Sequence, residues 1–269
     1  MIGMIIDMDG VIYRGNEPVD GARELIEFLK ERRIPFIFLT NNSTKTPMMY
    51  REKLLSMGIN VPEDLIITSG LATRLYMKKH LKPGKILIIG GKGLHEEMKH
   101  LRWGTVNINE ARKGAWRKVE HVVVGLDPKL TYEKLKYATL AIRNGATFIG
   151  TNPDTTYPAE EGLYPGAGSI IATLKASTDV EPLIIGKPNE PAYEVARTKL
   201  TGAEELWMIG DRLDTDIAFA KRFGMKAIMV LTGVSSLKDV KETGIKPDLV
   251  VPSVRELLEH LKTILEESR

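Results

Sequence analysis

Short apolar runs alternate with amphipathic segments along the whole chain, and this alternation restricts the fold more than any other feature. Most of the ten runs are apolar at every position rather than at every second one. Continuous runs of this length are typical of strands buried on both faces of a parallel sheet. The runs are residues 4–6, 34–39, 65–67, 86–89, 122–124, 148–149, 183–185, 206–209, 227–231 and 249–251.

The segments between the runs carry helical periodicity. Ala22, Leu25, Ile26 and Leu29 follow the i, i+3, i+4, i+7 spacing of one helix face, and residues 135–142 show nearly the same pattern. Repeated strand–helix units predict an α/β fold with right-handed crossovers. We therefore expect a doubly wound, Rossmann-like parallel sheet.

A chain of 269 residues is long for one compact domain and suits two. Lys82-Pro83-Gly84 interrupts the pattern after a helical segment, and residues 177–182 interrupt it again. The sequence therefore predicts a discontinuous core, residues 1–81 plus 182–269, with a second domain inserted at residues 82–181.

The composition excludes several classes of protein. The chain has no cysteine, which excludes disulfides, thiol catalysis and cysteine-ligated zinc. A net charge of +3 gives no case for nucleic acid or a membrane surface. No apolar run approaches the roughly 20 residues that span a bilayer. The N-terminus meets Asp7 without a basic segment before it, so we expect a cytoplasmic protein.

Two carboxylates, Asp7 and Asp9, directly follow the first apolar run. Ligands of open α/β sheets bind beyond the carboxyl ends of the strands. Side chains at i and i+2 of an extended segment point the same way, so a divalent cation would offset their charge. Oxygen ligands favour magnesium. Taken alone, the pair would be ordinary loop carboxylates.

Three other runs also end in polar groups. Thr40-Asn41-Asn42-Ser43 follows the second run, where these groups can hold an anion near a helix start. Ser43 or Thr44 can also cap that helix, and the two interpretations can hold together. Lys187 follows the run at 183–185, where an isolated lysine would be an ordinary surface cation. Asp211 and Asp216 follow the run at 206–209, and we assign Asp214 between them a purely structural role. Chance placement of such groups at all four strand ends is improbable, so we expect them to form one site.

These residues resemble the haloacid dehalogenase-like superfamily of phosphotransferases. The segments Asp-Met-Asp-Gly-Val, Leu-Thr-Asn-Asn, Gly-Lys-Pro and Gly-Asp-Arg-Leu-Asp-Thr-Asp occur in the order of its four motifs. The large insertion between the second and third motifs is similar to that of the NagD-like, or p-nitrophenyl phosphatase-like, branch. So are Thr151-Asn152-Pro153-Asp154 and Tyr164-Pro165-Gly166-Ala167-Gly168 within the insertion.

The resemblance implies a role for each motif residue. Asp7 would be the nucleophile, and Asp9 the general acid for the leaving oxygen and then the base for water. Magnesium would be bound by Asp7, Asp211 and the backbone carbonyl of Asp9, with Asp216 contacting it more remotely. Thr40 and Lys187 would act on the phosphoryl group. Substrate contacts would come from Gly10, Thr40, Asn41, Asn42, Asn152, Asp154 and Lys187.

Elementary chemistry supports these roles. Phosphoryl transfer depends on positioning and charge stabilisation, and a covalent intermediate divides it into two easier displacements. Asp9 suits acid–base work because the leaving alkoxide needs a proton and the attacking water must lose one. The insertion would be a cap that excludes water and selects the leaving group.

The expected function is therefore a magnesium-dependent phosphatase for a small phosphorylated metabolite, with p-nitrophenyl phosphate as a probe. Nucleotides and sugar phosphates are both candidate substrates. A receiver-like phospho-switch, a phosphomutase and a dehalogenase are the alternatives on related folds, and the insertion makes the chain too long for a simple receiver domain. A homodimer is one candidate assembly, through an apolar face of the cap.

Overall fold

The computed structural model describes residues 1–159 and 161–267, and the side chains of residues 265–267 lie outside that description. The chain forms two compact units. The first unit contains residues 1–40, 48–67 and 196–269, and the second contains residues 41–47 and 68–195. The predicted insertion, residues 82–181, lies within the second unit, and its exact edges stay a prediction.

The described strands are numbered in chain order. They are β1 Ile2–Ile6, β2 Tyr13–Arg14, β3 Glu17–Pro18, β4 Phe36–Thr40, β5 Ile66–Thr68, β6 Ile86–Ile89, β7 His121–Val124, β8 Thr147–Gly150, β9 Thr156–Ala159, β10 Gly162–Pro165, β11 Leu183–Ile184, β12 Glu205–Gly210, β13 Lys226–Val230 and β14 Leu249–Val251.

The described α-helices are numbered in the same way. They are α1 Ala22–Glu31, α2 Pro47–Ser56, α3 Ser69–His80, α4 Lys92–Lys99, α5 Ile108–Arg112, α6 Tyr132–Arg143, α7 Ala167–Thr178, α8 Glu190–Lys199, α9 Ala218–Arg222, α10 Leu237–Thr243 and α11 Val254–Glu267. Short 3₁₀ turns occupy Glu63–Leu65 and Ala115–Lys118, and one π-helical turn occupies Leu213–Ile217. Within the described part of the chain, no helix combines the length and the apolar character that a bilayer crossing requires.

A six-stranded sheet forms the centre of the first unit, in the order β14-β13-β12-β1-β4-β5. Strand β1 lies between β12 and β4 and pairs with both in parallel. Residues 3–6 of β1 and all of β4 are buried, as the continuous apolar runs predict. Helices α1 and α11 pack on this sheet through Leu25, Leu29, Leu257 and Leu261, none of which is exposed to solvent.

A parallel four-stranded sheet, in the order β11-β8-β7-β6, forms the second unit together with helices on its faces. Its core includes Val122, Val124, Phe148 and Leu174. The antiparallel hairpin β9–β10 also belongs to this unit. Both units therefore have α/β architecture, which confirms the predicted fold class.

All ten apolar runs form strands, but one of them pairs differently from the expectation. The sequence analysis places the run at 183–185 in the discontinuous core, residues 1–81 plus 182–269. In the structure, Leu183 pairs with Ile149 and Ile184 with Gly150, so β11 is the edge strand of the smaller sheet. An apolar run is equally suited to either sheet, and only the tertiary pairing decides between them.

Candidate active site

Two carboxylates of the first unit lie at the same edge of the six-stranded sheet. Strands β1 and β12 are parallel neighbours, with Ile6 beside Ile209, so their carboxyl ends coincide. Asp7 and Asp211 are the residues that follow these two strands. The Asp7 amide donates to the carbonyl of Ile209 at 2.9 Å, which continues the strand pairing by one residue. The sheet register therefore brings the two carboxylates together, as the sequence predicts from strand ends.

The π-helical turn supplies a third carboxylate. Asp216 Oδ2 accepts hydrogen bonds of 3.2 Å from the backbone amides of Asp211 and Arg212. One carboxylate oxygen from each of Asp7, Asp211 and Asp216 lies within 4.8 Å of the others. These residues are only 8%, 1% and 1% exposed, respectively. Three buried like charges are costly unless a cation offsets them, and an all-oxygen donor set fits a hard divalent ion such as magnesium.

Glycines leave room for the Asp211 carboxylate. Asp211 Oδ2 accepts from the Val234 amide at 2.7 Å. A Cβ atom at Gly10 would lie 2.6 Å from that same oxygen, and one at Gly233 would lie closer still. Gly10 also has φ of 80°, a left-handed conformation that favours glycine. The absence of a Cβ atom at Gly10 therefore leaves room for the Asp211 carboxylate.

Asp9 is exposed and is not one of the three clustered carboxylates. The hydroxyl of Tyr13 donates to Asp9 Oδ2 at 3.3 Å. Burial raises the pKa of Tyr13 well above its usual value, and the neighbouring Tyr50, Asp9 and Asp7 raise it further. Tyr50 is buried as well, and its hydroxyl hydrogen-bonds with Tyr13 and with Thr40. The first unit thus joins Thr40 to Asp9 through two tyrosines that the sequence analysis did not identify.

In the second unit, the backbone carbonyl of Asn41 is the centre of a buried polar network. It accepts from Asn152 Nδ2 at 2.7 Å and from Ser69 Oγ at 2.5 Å. The side chain of Asn41 binds the backbone of Lys187, accepting from its amide at 2.9 Å and donating to its carbonyl at 3.0 Å. Asn41 Nδ2 also lies 3.2 Å from Asp154 Oδ1. Four predicted site residues of this unit are therefore held by one network.

Lys187 is only 1% exposed, so it is not the ordinary surface lysine that was the alternative. A lysine is rarely buried so completely without a partner for its charge.

Asn152 Oδ1 accepts from the Asp154 amide at 3.1 Å, which is the local turn that Asn-Pro-Asp favours. Lys187 and the turn at Asn152–Asp154 both lie in the second unit.

The prediction that Ser43 or Thr44 caps the following helix is wrong. The following helix, α2, begins at Pro47, so neither residue is its N-cap. Asn42 Oδ1 accepts from the amide and the hydroxyl of Thr44, at 2.8 and 2.7 Å, and this turn delays the start of the helix. Asp214 points to solvent and pairs with Arg212 at 3.1 Å, consistent with a structural role.

Tyr13 and Tyr50 are among the residues that sequence reasoning missed. Tyr13 follows Asp9 by four positions, a spacing that was available in the sequence but has no meaning until the turn is known. Tyr50 lies in α2, ten residues after Thr40, and its apolar surroundings suggest only core packing. Ser69 and Val234 were also missed, because their contacts with Asn41 and Asp211 depend on tertiary structure.

Comparisons with known proteins identify the family of this chain. Residues 4–103 match the haloacid dehalogenase-like hydrolase family, and residues 184–257 match a second family of the same kind. An acid sugar phosphatase of Staphylococcus aureus is 41% identical over 96% of this chain and 97% of its own length. The solved structure of a hypothetical protein from Pyrococcus horikoshii OT3 is 74% identical, covers 97% of this chain and all of its own, and superposes with a TM-score of 0.94.

The structure of a 4-nitrophenylphosphatase from Thermotoga maritima is also similar. It is 36% identical, covers 96% of both chains and has a TM-score of 0.87. Since relatives of this similarity cover nearly the whole chain, the chain belongs to the haloacid dehalogenase-like hydrolases, in their NagD-like, p-nitrophenyl phosphatase branch, and it is a phosphatase.

Proposed function

We propose that this phosphatase hydrolyses small phosphate monoesters with magnesium, through an aspartyl-phosphate formed on Asp7. The observation that carries the proposal is the buried group of three carboxylates at the carboxyl ends of β1 and β12. Three buried acids so close together do not stabilise a fold by themselves. They do suit the binding of a divalent cation, which offsets their charge. Magnesium held by Asp7, Asp211 and the Asp9 carbonyl, with Asp216 behind them, would offset the negative charge of the phosphoryl group.

The side chains of the first unit supply the covalent steps. An oxygen of Asp7 attacks phosphorus, the ester P–O bond breaks, and Asp9 gives its proton to the departing oxygen. Water then attacks the phosphorus of the aspartyl-phosphate, and Asp9 accepts a proton from that water. Inorganic phosphate leaves, and the carboxylate of Asp7 is restored. Thr40, at the end of β4, is proposed to hold a phosphoryl oxygen.

The second unit contributes the remaining proposed roles. The Lys187 ammonium is assigned to the charge of the transferred phosphoryl group, on the strength of the family motif and its near-complete burial. Asn41 acts through Lys187, because its side chain binds the backbone of that residue. Substrate contacts are assigned to Gly10, Asn42, Asn152 and Asp154 by resemblance. A homodimer and a cytoplasmic location remain predictions.

Sugar phosphates are the proposed substrate class, ahead of nucleotides. The support is the name of the Staphylococcus aureus relative, an acid sugar phosphatase that matches nearly the whole chain. The Thermotoga maritima neighbour is named a 4-nitrophenylphosphatase, which supports p-nitrophenyl phosphate as the probe.

The test is phosphate release from p-nitrophenyl phosphate and from a panel of sugar phosphates and nucleotides. We expect turnover with magnesium, none with EDTA, and a loss in Asp7→Asn of at least about 10³-fold, since the nucleophile is removed. Asp214→Asn is the matched control, because this carboxylate is exposed and paired with Arg212. It should retain wild-type activity.

The covalent intermediate has its own readout. Rapid acid quenching during turnover, followed by peptide mass spectrometry, should find phosphate on the peptide that contains Asp7 in the wild type and none in Asp7→Asn. Undiminished turnover by Asp7→Asn would overturn the assignment of the nucleophile. Phosphate that moves to a second sugar rather than to water would favour a phosphomutase, and a stable phosphoprotein without turnover would favour a receiver-like switch.

A further inference from the structure

A tight turn after β1 brings Tyr13 back beside Asp9. The carbonyl of Met8 accepts from the amide of Ile12 at 2.8 Å and from that of Tyr13 at 3.3 Å. The amide of Gly10 donates to the carbonyl of Tyr13 at 2.9 Å. The left-handed conformation of Gly10 makes this reversal possible. The backbone, and not the chance rotamer of one side chain, therefore sets the approach of Tyr13 to Asp9.

The two partners differ in their burial. Asp9 is exposed. Tyr13 is wholly buried in the core of the first unit, and the ammonium of Lys53 lies 3.7 Å from the centre of its ring. A side chain packed in this way keeps one rotamer. The buried phenol is thus a fixed donor for one oxygen of an exposed acid.

Tyr50 extends the contact into a chain of hydroxyl groups. Its side chain is 1% exposed, and its hydroxyl hydrogen-bonds with both Tyr13 and Thr40. We call the residues Thr40, Tyr50, Tyr13 and Asp9 the hydroxyl relay. The relay joins the proposed phosphoryl-binding hydroxyl to the proposed proton donor, and its two tyrosines belong to the core of the first unit.

We propose that Tyr13 is a positioning residue for the proton transfers of Asp9 and that Tyr50 holds it in place. The inference rests on the proposed function, in which Asp9 protonates the leaving oxygen. Tyr13 donates to Oδ2, so the proton that Asp9 transfers is carried by Oδ1, and the phenol keeps its own proton throughout. Proton transfer requires an acid that is oriented towards the receiving atom, and hydrogen bonds at catalytic groups tighten when substrate is bound. The 3.3 Å contact is accordingly long for two oxygens in the free enzyme.

The leaving group provides the test. A sugar alkoxide is a strong base and must be protonated as it departs, whereas p-nitrophenolate is a weak base and departs without a proton. Losing the orientation of Asp9 therefore costs rate with the first ester and not with the second. The parameter to measure is kcat/KM, because it reports the step in which the ester bond breaks, even where hydrolysis of the phosphoenzyme limits kcat.

For Tyr13→Phe, we expect kcat/KM for the best sugar phosphate to fall about tenfold, a part of the 10²–10⁴ that acid–base catalysis contributes. The value for p-nitrophenyl phosphate should change by less than about twofold. Tyr50→Phe should shift the ratio of the two values in the same direction and by less, because Tyr13 keeps its bond to Asp9. Tyr137→Phe, which changes a buried tyrosine in the core of the second unit, is the control and should leave the ratio unchanged.

The outcomes separate this inference from the proposed function. If the wild type hydrolyses neither ester with magnesium, the proposed function fails. If the wild type is active but Tyr13→Phe lowers both values equally, Tyr13 is only structural and the inference is wrong. An unchanged ratio in a folded Tyr13→Phe, checked by its melting temperature, would also overturn it. Should Tyr13→Phe not fold, the ratio in Tyr50→Phe decides the question.

Discussion

The side-chain amide of Asn41 hydrogen-bonds with the backbone of Lys187 in the way that a neighbouring strand would. Its oxygen accepts from the Lys187 amide and its nitrogen donates to the Lys187 carbonyl, which is the pattern that two paired backbones make. The carboxamide therefore has backbone partners of its own, beside the phosphate contact that the motif predicts. We therefore expect any effect of Asn41 on catalysis to pass at least partly through the position of Lys187.

Replacement of Asn41 by alanine tests this interpretation. Asn41→Ala leaves the amide and carbonyl of Lys187 buried without these partners, so the free energy of unfolding should fall by about 2–4 kcal/mol. Urea denaturation followed by tryptophan fluorescence measures it, since Trp103 and Trp116 lie in the second unit. Asn144→Ala is the control, because Asn144 is exposed, and it should change stability by less than about 0.5 kcal/mol. Equal effects of the two variants would contradict the structural role of Asn41.

The residues of the candidate site divide into those that a strand end reveals and those that it does not. Asp7, Thr40 and Asp211 stand directly after or at the end of buried strands, and parallel pairing alone suffices to bring such positions to one edge. Asp216 needs the π-helical turn to return towards Asp211. Tyr50 reaches Thr40 only because α2 packs in the core, which no local pattern reveals.

At the scale of elements, apolar runs predict strands well and their partners poorly. Each of the ten runs is a strand, because burial on both faces demands continuous apolar residues. The hairpin β9–β10 escaped prediction, since its strands contain Pro158 and Pro165 and are mostly half-exposed or exposed. The assignment of β11 to the smaller sheet also escaped, because two residues of a strand do not specify a neighbour.

The carboxylate of Asp248 ties together three elements at one end of the large sheet. Asp248 Oδ2 accepts from the Ala227 amide of β13 at 2.7 Å, Asp248 Oδ1 pairs with Lys221 of α9, and β14 begins one residue later. The Ala227 amide is the largest cause that lowers the pKa of Asp248, and Lys221 adds to it. The side chain is 41% exposed, so screening by solvent keeps the contribution of its charge small.

We expect Asp248→Asn to lower the free energy of unfolding at pH 7 by about 0.5–1 kcal/mol. Because the folded pKa is lower than the unfolded value of about 3.9, the charge stabilises the fold above that pH, and its effect is lost as pH falls through the folded pKa. Urea denaturation of both proteins from pH 7 to pH 2.5 measures the difference, with high salt as the control that weakens it. A difference that grows as the pH falls would contradict this assignment.

At the scale of the whole molecule, the predicted site residues are shared between two units whose segments alternate along the chain. The chain passes from the first unit to the second between Thr40 and Asn41, inside a single motif. The clustered carboxylates belong entirely to the first unit, and the network around Asn41 belongs entirely to the second. The proposed magnesium site therefore lies within the first unit, and magnesium binding can be tested without any turnover.

We expect magnesium to stabilise the protein, because the proposed site exists in the folded carboxylate cluster and not in the unfolded chain. At a concentration of about 100 times its dissociation constant, the gain is about 2.7 kcal/mol, or roughly 5–10 °C in melting temperature for a chain of this size. Hydrogen exchange should slow in β1 and β12, which precede the clustered acids. In Asp211→Asn the shift should be largely lost, and in EDTA this variant should melt no lower than the wild type, because one of three mutually repelling charges is gone. Asp214→Asn, whose carboxylate is exposed, should keep the full shift, and an equal shift in Asp211→Asn would show that magnesium binds elsewhere.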